Sequence, residues 1–152
     1  HGIKNAFCQD NEISWFVWSL LERNQGFFRF VKSLIALRRR YPVLSSERFY
    51  SPEEISWINP SGHPPDWHAD GAIGCQIHQE QGGQLLCLLA NPTHQGVAFH
   101  LPDPPRGRHW ERLLDTGAAE PRDICEPVNV IQLKRVDPIF LLDRSFVLLA
   151  AH

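Results

Sequence analysis

The sequence predicts a mainly β protein in which two amino-terminal helices precede an antiparallel β-sandwich. Apolar residues recur at helical spacing as far as Pro42. From about Ser45 onward, prolines, glycines and short runs of β-favouring residues replace that pattern. About seven such runs within roughly 100 residues are typical of two packed antiparallel sheets.

The two helices are predicted from their end signals as well as from periodicity. Asp10-Asn11-Glu12 offers the first helix a start, because Asx side chains cap free amides and acids favour the positive helix end. Asn24-Gln25-Gly26 ends this helix, and a second is predicted from Phe27 to Arg40. Pro42 stops it, since proline disfavours helix in the residue before it.

The second helix carries an apolar stripe that is wide for so short a domain. We therefore expect it to need a large partner surface, supplied by another part of a longer protein or by self-association. The stripe comprises Phe27, Phe30, Val31, Leu34, Leu37 and Tyr41, and is widened by Phe28 and Ile35.

The strands are predicted from runs rich in β-favouring residues, several of which alternate apolar and polar positions, as half-buried strands do. A glycine-bearing hairpin connection is predicted at Glu80–Gly83. The predicted strands are Glu54–Asn59, Ala72–Gln79, Gln84–Asn91, Gly96–Leu101, Arg108–Leu114, Pro127–Leu133 and Ser145–Leu149.

Composition excludes several classes of partner. The net charge is -2 with acids and bases interspersed, so no nucleic-acid or membrane-surface partner is predicted. The sequence offers neither an apolar leader nor a C-x-x-C pair among its four cysteines, which favours a reduced cytoplasmic protein. Because the chain has no methionine, we expect it to be a fragment of a longer protein.

No catalytic, metal or cofactor site is predicted. The sequence has no G-x-S-x-G, P-loop, H-E-x-x-H or G-x-G-x-x-G motif. Asp10 and Glu12 would point in different directions on a helix. His63, Asp66 and His68 lie in a proline-rich loop with no further ligand at useful spacing, so we do not predict a metal site there.

The five tryptophans are the candidates for contact with sugars. Trp57 and Trp110 lie in strand-like runs, which favours the core. Trp67 lies in a loop and is the best stacking candidate, although an anchor from loop to core fits equally well.

The first eighteen residues resemble a stretch of the isoamylase-like glycogen debranching enzymes of the α-amylase superfamily. That family reads approximately G-N-N-N-A-Y-C-Q-D-N-E-x-S-W-x-D-W, and this chain has Cys8-Gln9-Asp10-Asn11-Glu12 followed by Ser14-Trp15. Ile55-Ser56-Trp57, Pro60-Ser61-Gly62 and Asp66-Trp67 resemble a later passage of the family. The resemblance covers nearly the whole chain, although Ile3, Lys4, Phe7 and Val17 depart from the pattern.

The resemblance implies that residues 1–45 end a (β/α)₈ catalytic barrel and that residues 46–152 form the terminal β-sandwich. It places the three catalytic carboxylates of the superfamily on earlier strands, so this chain alone is predicted to be inactive. The parent would cleave α-1,6 linkages of glycogen. The candidate residues for glucan contact are Asn5, Gln9, Asp10, Trp15 and Trp67, with the two tryptophans as stacking platforms.

Two alternatives to this interpretation remain open. One is a free-standing carbohydrate-binding module, which predicts measurable affinity for maltodextrin. The other is a structural or subunit-contact domain without a ligand, which predicts no such affinity and an apolar helix face that drives association.

Overall fold

The computed structural model describes residues 7–78, 83–125, 131–133 and 138–152. Helix α1 (Ser19–Arg23) and helix α2 (Gln25–Arg40) are followed by a short 3-10 helix, Pro42–Ser45. The described residues then form eight strands: β1 Ile55–Ile58, β2 Ile73–His78, β3 Leu85–Asn91, β4 Val97–Phe99, β5 Trp110–Asp115, β6 Ile131–Gln132, β7 Ile139–Leu141 and β8 Ser145–Ala151.

The strands form two antiparallel sheets, which confirms the predicted fold class. Six strands build the large sheet in the order β1-β2-β3-β8-β5-β6, and β4 pairs with β7 in a small second sheet. No helix in the described part of the chain is both long and apolar enough to cross a membrane.

The large sheet packs against helices on one face and against the small sheet on the other. One face is covered by α2 and the 3-10 helix. Its buried cluster joins Ile77 and Leu86 of the sheet to Leu37 of α2, to Tyr41, which follows α2, and to Val43 of the 3-10 helix. On the other face, the small sheet contributes to a second buried cluster, composed of Ile58, Ala72, Cys87, Leu89, Phe99, Trp110, Leu141, Val147, Leu149 and Ala151. Since successive side chains of a strand point to opposite faces, β3, β5 and β8 each supply residues to both clusters.

The first helix is shorter than predicted. The segment that includes Asp10 and Asn11 forms turns, and the helix begins only at Ser19. Asn11 Oδ1 accepts the amide of Ile13 at 3.1 Å, and Ser14 Oγ donates to the carbonyl of Gln9 at 2.8 Å. Short polar side chains that bind nearby backbone groups compete with helix formation in this way.

The second helix begins slightly earlier than predicted and ends at Arg40 as expected. The break between the helices is limited to Asn24, whose side-chain amide and backbone amide both donate to the carbonyl of Leu20. Gly26 is therefore inside α2 rather than in the break.

Strand β7 was not predicted, because three residues after Pro138 are too few to show alternation. Of the predicted strand Pro127–Leu133, the structure assigns β6 to Ile131–Gln132, and residues 127–130 lie outside the described residues. The predicted hairpin connection also lies outside them, except for Gly83, whose φ of +63° suits glycine.

Candidate functional site

The amino-terminal segment brings three of the five predicted contact residues together. The indole Nε1 of Trp15 donates to Asp10 Oδ1 at 2.7 Å. The side-chain oxygen of Gln9 accepts a hydrogen bond of 3.3 Å from the side-chain Nδ2 of Asn11. Asn5, the fourth residue of the predicted set, lies outside the described residues. The C-Q-D-N-E-x-S-W stretch is therefore a locally bonded turn with exposed side chains.

The chemistry of this turn is that of a contact surface. Trp15 is 60% exposed, and its bond to Asp10 fixes the orientation of the ring. An exposed indole that is held in one orientation loses little entropy when a ligand packs against it. The turn is therefore suited to bind a ligand and to orient it against the indole of Trp15.

Trp67, the fifth predicted contact residue, lies on a different part of the molecule, in the loop between β1 and β2. Asn59 and Asp70 close this loop, since Asn59 Nδ2 donates to Asp70 Oδ2 at 3.3 Å. The same carboxylate oxygen accepts the amide of Asp66 at 2.8 Å. The loop is thus held at both ends, directly beside Trp67.

Trp57 contacts Trp67 edge to face, with ring centroids 5.6 Å apart and an interplanar angle of 70°. Both rings face solvent, at 42% and 65% exposure respectively. The prediction that Trp57 belongs to the core is therefore wrong: β1 is the edge strand, and its neighbour β2 covers it on one side only. Trp110 is buried as predicted, and its indole donates to the carbonyl of Pro102 at 3.0 Å.

The loop that contains His63, Asp66 and His68 uses Asp66 to stabilise its own backbone. Asp66 Oδ1 accepts the backbone amide of His68 at 2.9 Å, which is an Asx turn. No group of three potential ligands suited to a metal ion occurs among the residues that the structure describes.

The four cysteines are free thiols in different environments. Cys75 and Cys87 are buried in the sheet, as their apolar surroundings predict, and Cys8 is exposed. Burial raises the pKa of Cys75 to about 11 and raises that of Cys87 further. These two thiols therefore stay protonated and act as small apolar side chains.

The fold and these surfaces define a class: a β-sandwich domain with an attached helical pair and several solvent-facing tryptophans. Residues 50–150 match the family model described as "Isoamylase, C-terminal", and the chain belongs to this family. The resemblance to isoamylase-like glycogen debranching enzymes is thereby confirmed.

Several curated proteins are similar to the chain. The glycogen operon protein GlgX homolog of Haemophilus influenzae is 33% identical over 119 residues, which cover 76% of this chain and 17% of that protein. The isoamylase of Pseudomonas amyloderamosa is 31% identical, over 74% of this chain and 15% of that protein. The glycogen debranching enzyme of Pectobacterium atrosepticum is 36% identical, over 72% of this chain and 16% of that protein.

A solved structure also resembles this chain. The pullulanase SAP of Group B Streptococcus matches it with a TM-score of 0.55 and 18% identity, over 91% of this chain and 18% of that one. This likeness concerns the fold alone. The chain thus spans about one sixth of the length of the curated relatives it matches.

Proposed function

We propose that this chain forms the non-catalytic carboxy-terminal part of a longer glycoside hydrolase that cleaves α-1,6 branch linkages of glycogen. The family match supports this proposal, as do the relatives named glycogen debranching enzyme and isoamylase. Each relative is far longer than the part matched here, which leaves room for a catalytic region elsewhere in such a protein.

The observation that carries the proposal is a solvent-facing apolar surface on α1 and α2, which we call the helical face. Its residues are 36% to 72% exposed, although each is large and apolar. A small domain seldom leaves so much contiguous apolar surface in water unless it forms a contact. The helical face comprises Leu21, Phe27, Phe28, Val31, Leu34 and Ile35.

The partner of the helical face, in this proposal, is the catalytic barrel of the same polypeptide. Residues 1–45 would be the closing unit of that barrel and residues 46–152 its terminal domain. Self-association through the helical face is the second candidate, since the same apolar surface on two copies would also be buried.

Three of the described acids are held in ion pairs, which does not suit them to acid–base catalysis. Glu54 binds Arg48, Asp115 binds Arg112 and Asp123 binds Arg29, each at 2.6 to 2.8 Å. The pKa of Glu54 is lowered to about 2, first by its hydrogen bond from Arg48. A retaining glycosidase needs instead a raised-pKa carboxylic acid about 5–5.5 Å from a second carboxyl group.

The substrate contacts proposed for the amino-terminal turn are Asn5, Gln9, Asp10 and Trp15. A loop that follows the last strand of a barrel lies at the catalytic face, where such polar and aromatic groups would meet the glucan. The free thiols fit a reducing compartment, so we propose a cytoplasmic location.

The test is release of reducing sugar from glycogen and pullulan. We expect none from this chain above a heat-killed control, and turnover from the product of the complete reading frame that contains it. Turnover by the chain alone would overturn the non-catalytic assignment. A reading frame that begins at His1 would remove the barrel from the proposal.

A further inference from the structure

Trp57 and Trp67 form a surface feature that the proposed barrel contact does not use. The pair lies on the edge strand β1 and its following loop, whereas the helical face is on α1 and α2. Asn59 and Asp70 hold the backbone of the loop, and the two rings contact each other edge to face without a ligand. Such pre-organisation lowers the entropy cost of binding.

The hydrogen-bonding groups around the two rings are free to meet a ligand. Trp15 and Trp110 both donate their indole N–H to a protein oxygen. Within the described part of the chain, the indole N–H groups of Trp57 and Trp67 donate to none. Asp66 uses Oδ1 for the amide of His68, and its Oδ2 accepts no hydrogen bond from a described residue. Aromatic faces beside free donors and a free acceptor suit a polyhydroxylated ligand with an apolar face.

A second exposed aromatic pair provides a contrast. Phe16 and Trp18 lie 4.9 Å apart at 66°, which is nearly the same arrangement. Their neighbour Val17 is 51% exposed and apolar, and Trp18 directly precedes α1 in the sequence. An apolar surrounding suits contact with protein, whereas the polar surrounding of Trp57 and Trp67 suits a sugar.

We infer that Trp57 and Trp67 form an accessory binding site for α-1,4-linked glucan chains. Two rings inclined at 70° match a ligand that curves between successive sugar units, as α-1,4-linked glucose does. A flat β-1,4-linked chain would fit coplanar rings better than rings inclined at this angle. The ligand class rests on the proposed function, but the site is separate from the proposed catalytic barrel.

The experiment is titration of the 152-residue chain with maltoheptaose, followed through the indole N–H signals of its tryptophans in a ¹H–¹⁵N spectrum. We expect the signals of Trp57 and Trp67 to shift and to saturate, while that of buried Trp110 stays in place. Cellohexaose at the same concentration is expected to produce no saturating shift. Absence of binding, shifts confined to other tryptophans, or equal binding of cellohexaose would each overturn the site.

Substitutions of the tryptophans provide a second test of the site. We expect Trp67→Ala to weaken maltoheptaose binding at least tenfold. Trp57→Phe retains a ring but removes its N–H donor, and should weaken binding about threefold. The matched control is Trp18→Ala, which breaks the other aromatic pair and should change the affinity less than twofold. Folding of each variant is checked by its thermal melt, since Trp67 is exposed and its loss should leave the melt unchanged.

The result is distinguishable from a failure of the proposed function. Equal affinity of the Trp67→Ala variant and the unsubstituted chain would overturn the site even if the complete protein debranches glycogen. Binding that depends on Trp67 would support the site even if the complete protein proved inactive.

Discussion

Arg29 of α2 donates from Nη2 to both carboxylate oxygens of Asp123, at 2.6 and 2.7 Å, across 94 residues of sequence. Asp123 Oδ1 also accepts the amide of Ile124 at 2.9 Å, and Arg29 Nε binds Glu120 at 3.1 Å. The hydrogen bond that Arg29 donates to Asp123 raises the pKa of Arg29. Helix α2 is thereby tied to the loop that follows β5, which fixes it against the sandwich.

We expect Asp123→Ala to lower the free energy of unfolding by about 1–2 kcal/mol. The substitution removes a charge-assisted bond and leaves both the guanidinium of Arg29 and the amide of Ile124 without this acceptor. The matched control is Arg48→Met, which breaks the more exposed pair with Glu54 and should lower the free energy of unfolding less than Asp123→Ala does. Urea denaturation measures both, and equal values for the two variants would contradict the anchoring role of Asp123.

A second prediction concerns the boundary at residue 46. We expect the chain 46–152 to fold as a sandwich, but with a lower melting temperature than the chain 25–152. The truncation removes Leu37, Tyr41 and Val43, which are buried in one cluster with the sheet. It also removes the contact of 3.0 Å between Tyr41 Oη and His152 Nε2.

Burial of one large apolar side chain is worth about 1.5–3 kcal/mol, so the three together are worth roughly 5 kcal/mol or more. Calorimetry of the two chains tests the prediction. Equal melting temperatures would show that α2 and the 3-10 helix add nothing to the core. Absence of a cooperative transition in 46–152 would place the domain boundary before Leu37.

Much of the fold follows from the sequence because its signals are local. The alternation of Ile73, Cys75 and Ile77 indicates a half-buried strand, and the structure buries Cys75 and Ile77 on the face that α2 covers. The start of α1 depends instead on competition by Ser14 and Asn11 for backbone groups, which apolar periodicity does not register. Strand β7 depends on pairing with the distant β4, which is a tertiary effect.

In the candidate site, too, contacts within one turn follow from the sequence, whereas features that depend on the tertiary structure do not. The proximity of Asp10 to Trp15 is local and arises within one turn. The exposure of Trp57 depends on the position of β1 at the edge of the sheet, which strand patterns alone do not reveal. The strand-like run around Trp57 therefore predicts a core position and does not reveal the contact with Trp67.

A third prediction follows from the pKa values of the buried thiols. The pKa of Cys75 is about 11 in the folded chain, against about 8.5 for an unfolded cysteine. Between these two pKa values the unfolded chain releases the thiol proton and the folded chain keeps it, which favours unfolding. The contribution of the buried Cys75 thiol to the free energy of unfolding is therefore complete below pH 8.5 and is lost as pH rises towards 11. Burial raises the pKa of Tyr41 as well, which adds to the loss at still higher pH.

The free energy of unfolding should accordingly fall between pH 8.5 and 11, and less steeply in Cys75→Ala. Thiol labelling at pH 8 is the companion measurement: exposed Cys8 should react at once, and Cys75 and Cys87 only after denaturant is added. An identical pH slope in the variant, or rapid labelling of all four thiols in the folded chain, would contradict the assignment.

The last prediction concerns the helical face, which we expect to drive association of the isolated chain. Phe28, Val31 and Ile35 follow one another at helical spacing and are 36% to 54% exposed. Burial of a few hundred Å² at about 25 cal/mol per Å² contributes roughly 5–10 kcal/mol before ordering costs. Dimers or larger species are therefore expected in sedimentation, unless the first 45 residues are loosely ordered and exchange their amide hydrogens rapidly.

Ile35→Glu places a charge in the middle of the helical face and should shift the population towards monomer. The matched control is Phe49→Ser, since Phe49 is 98% exposed and lies outside the helical face, so the substitution should leave association unchanged. A strict monomer whose amino-terminal amides are well protected would contradict the prediction. That outcome would mean that the helical face is stable in water without a barrel to cover it.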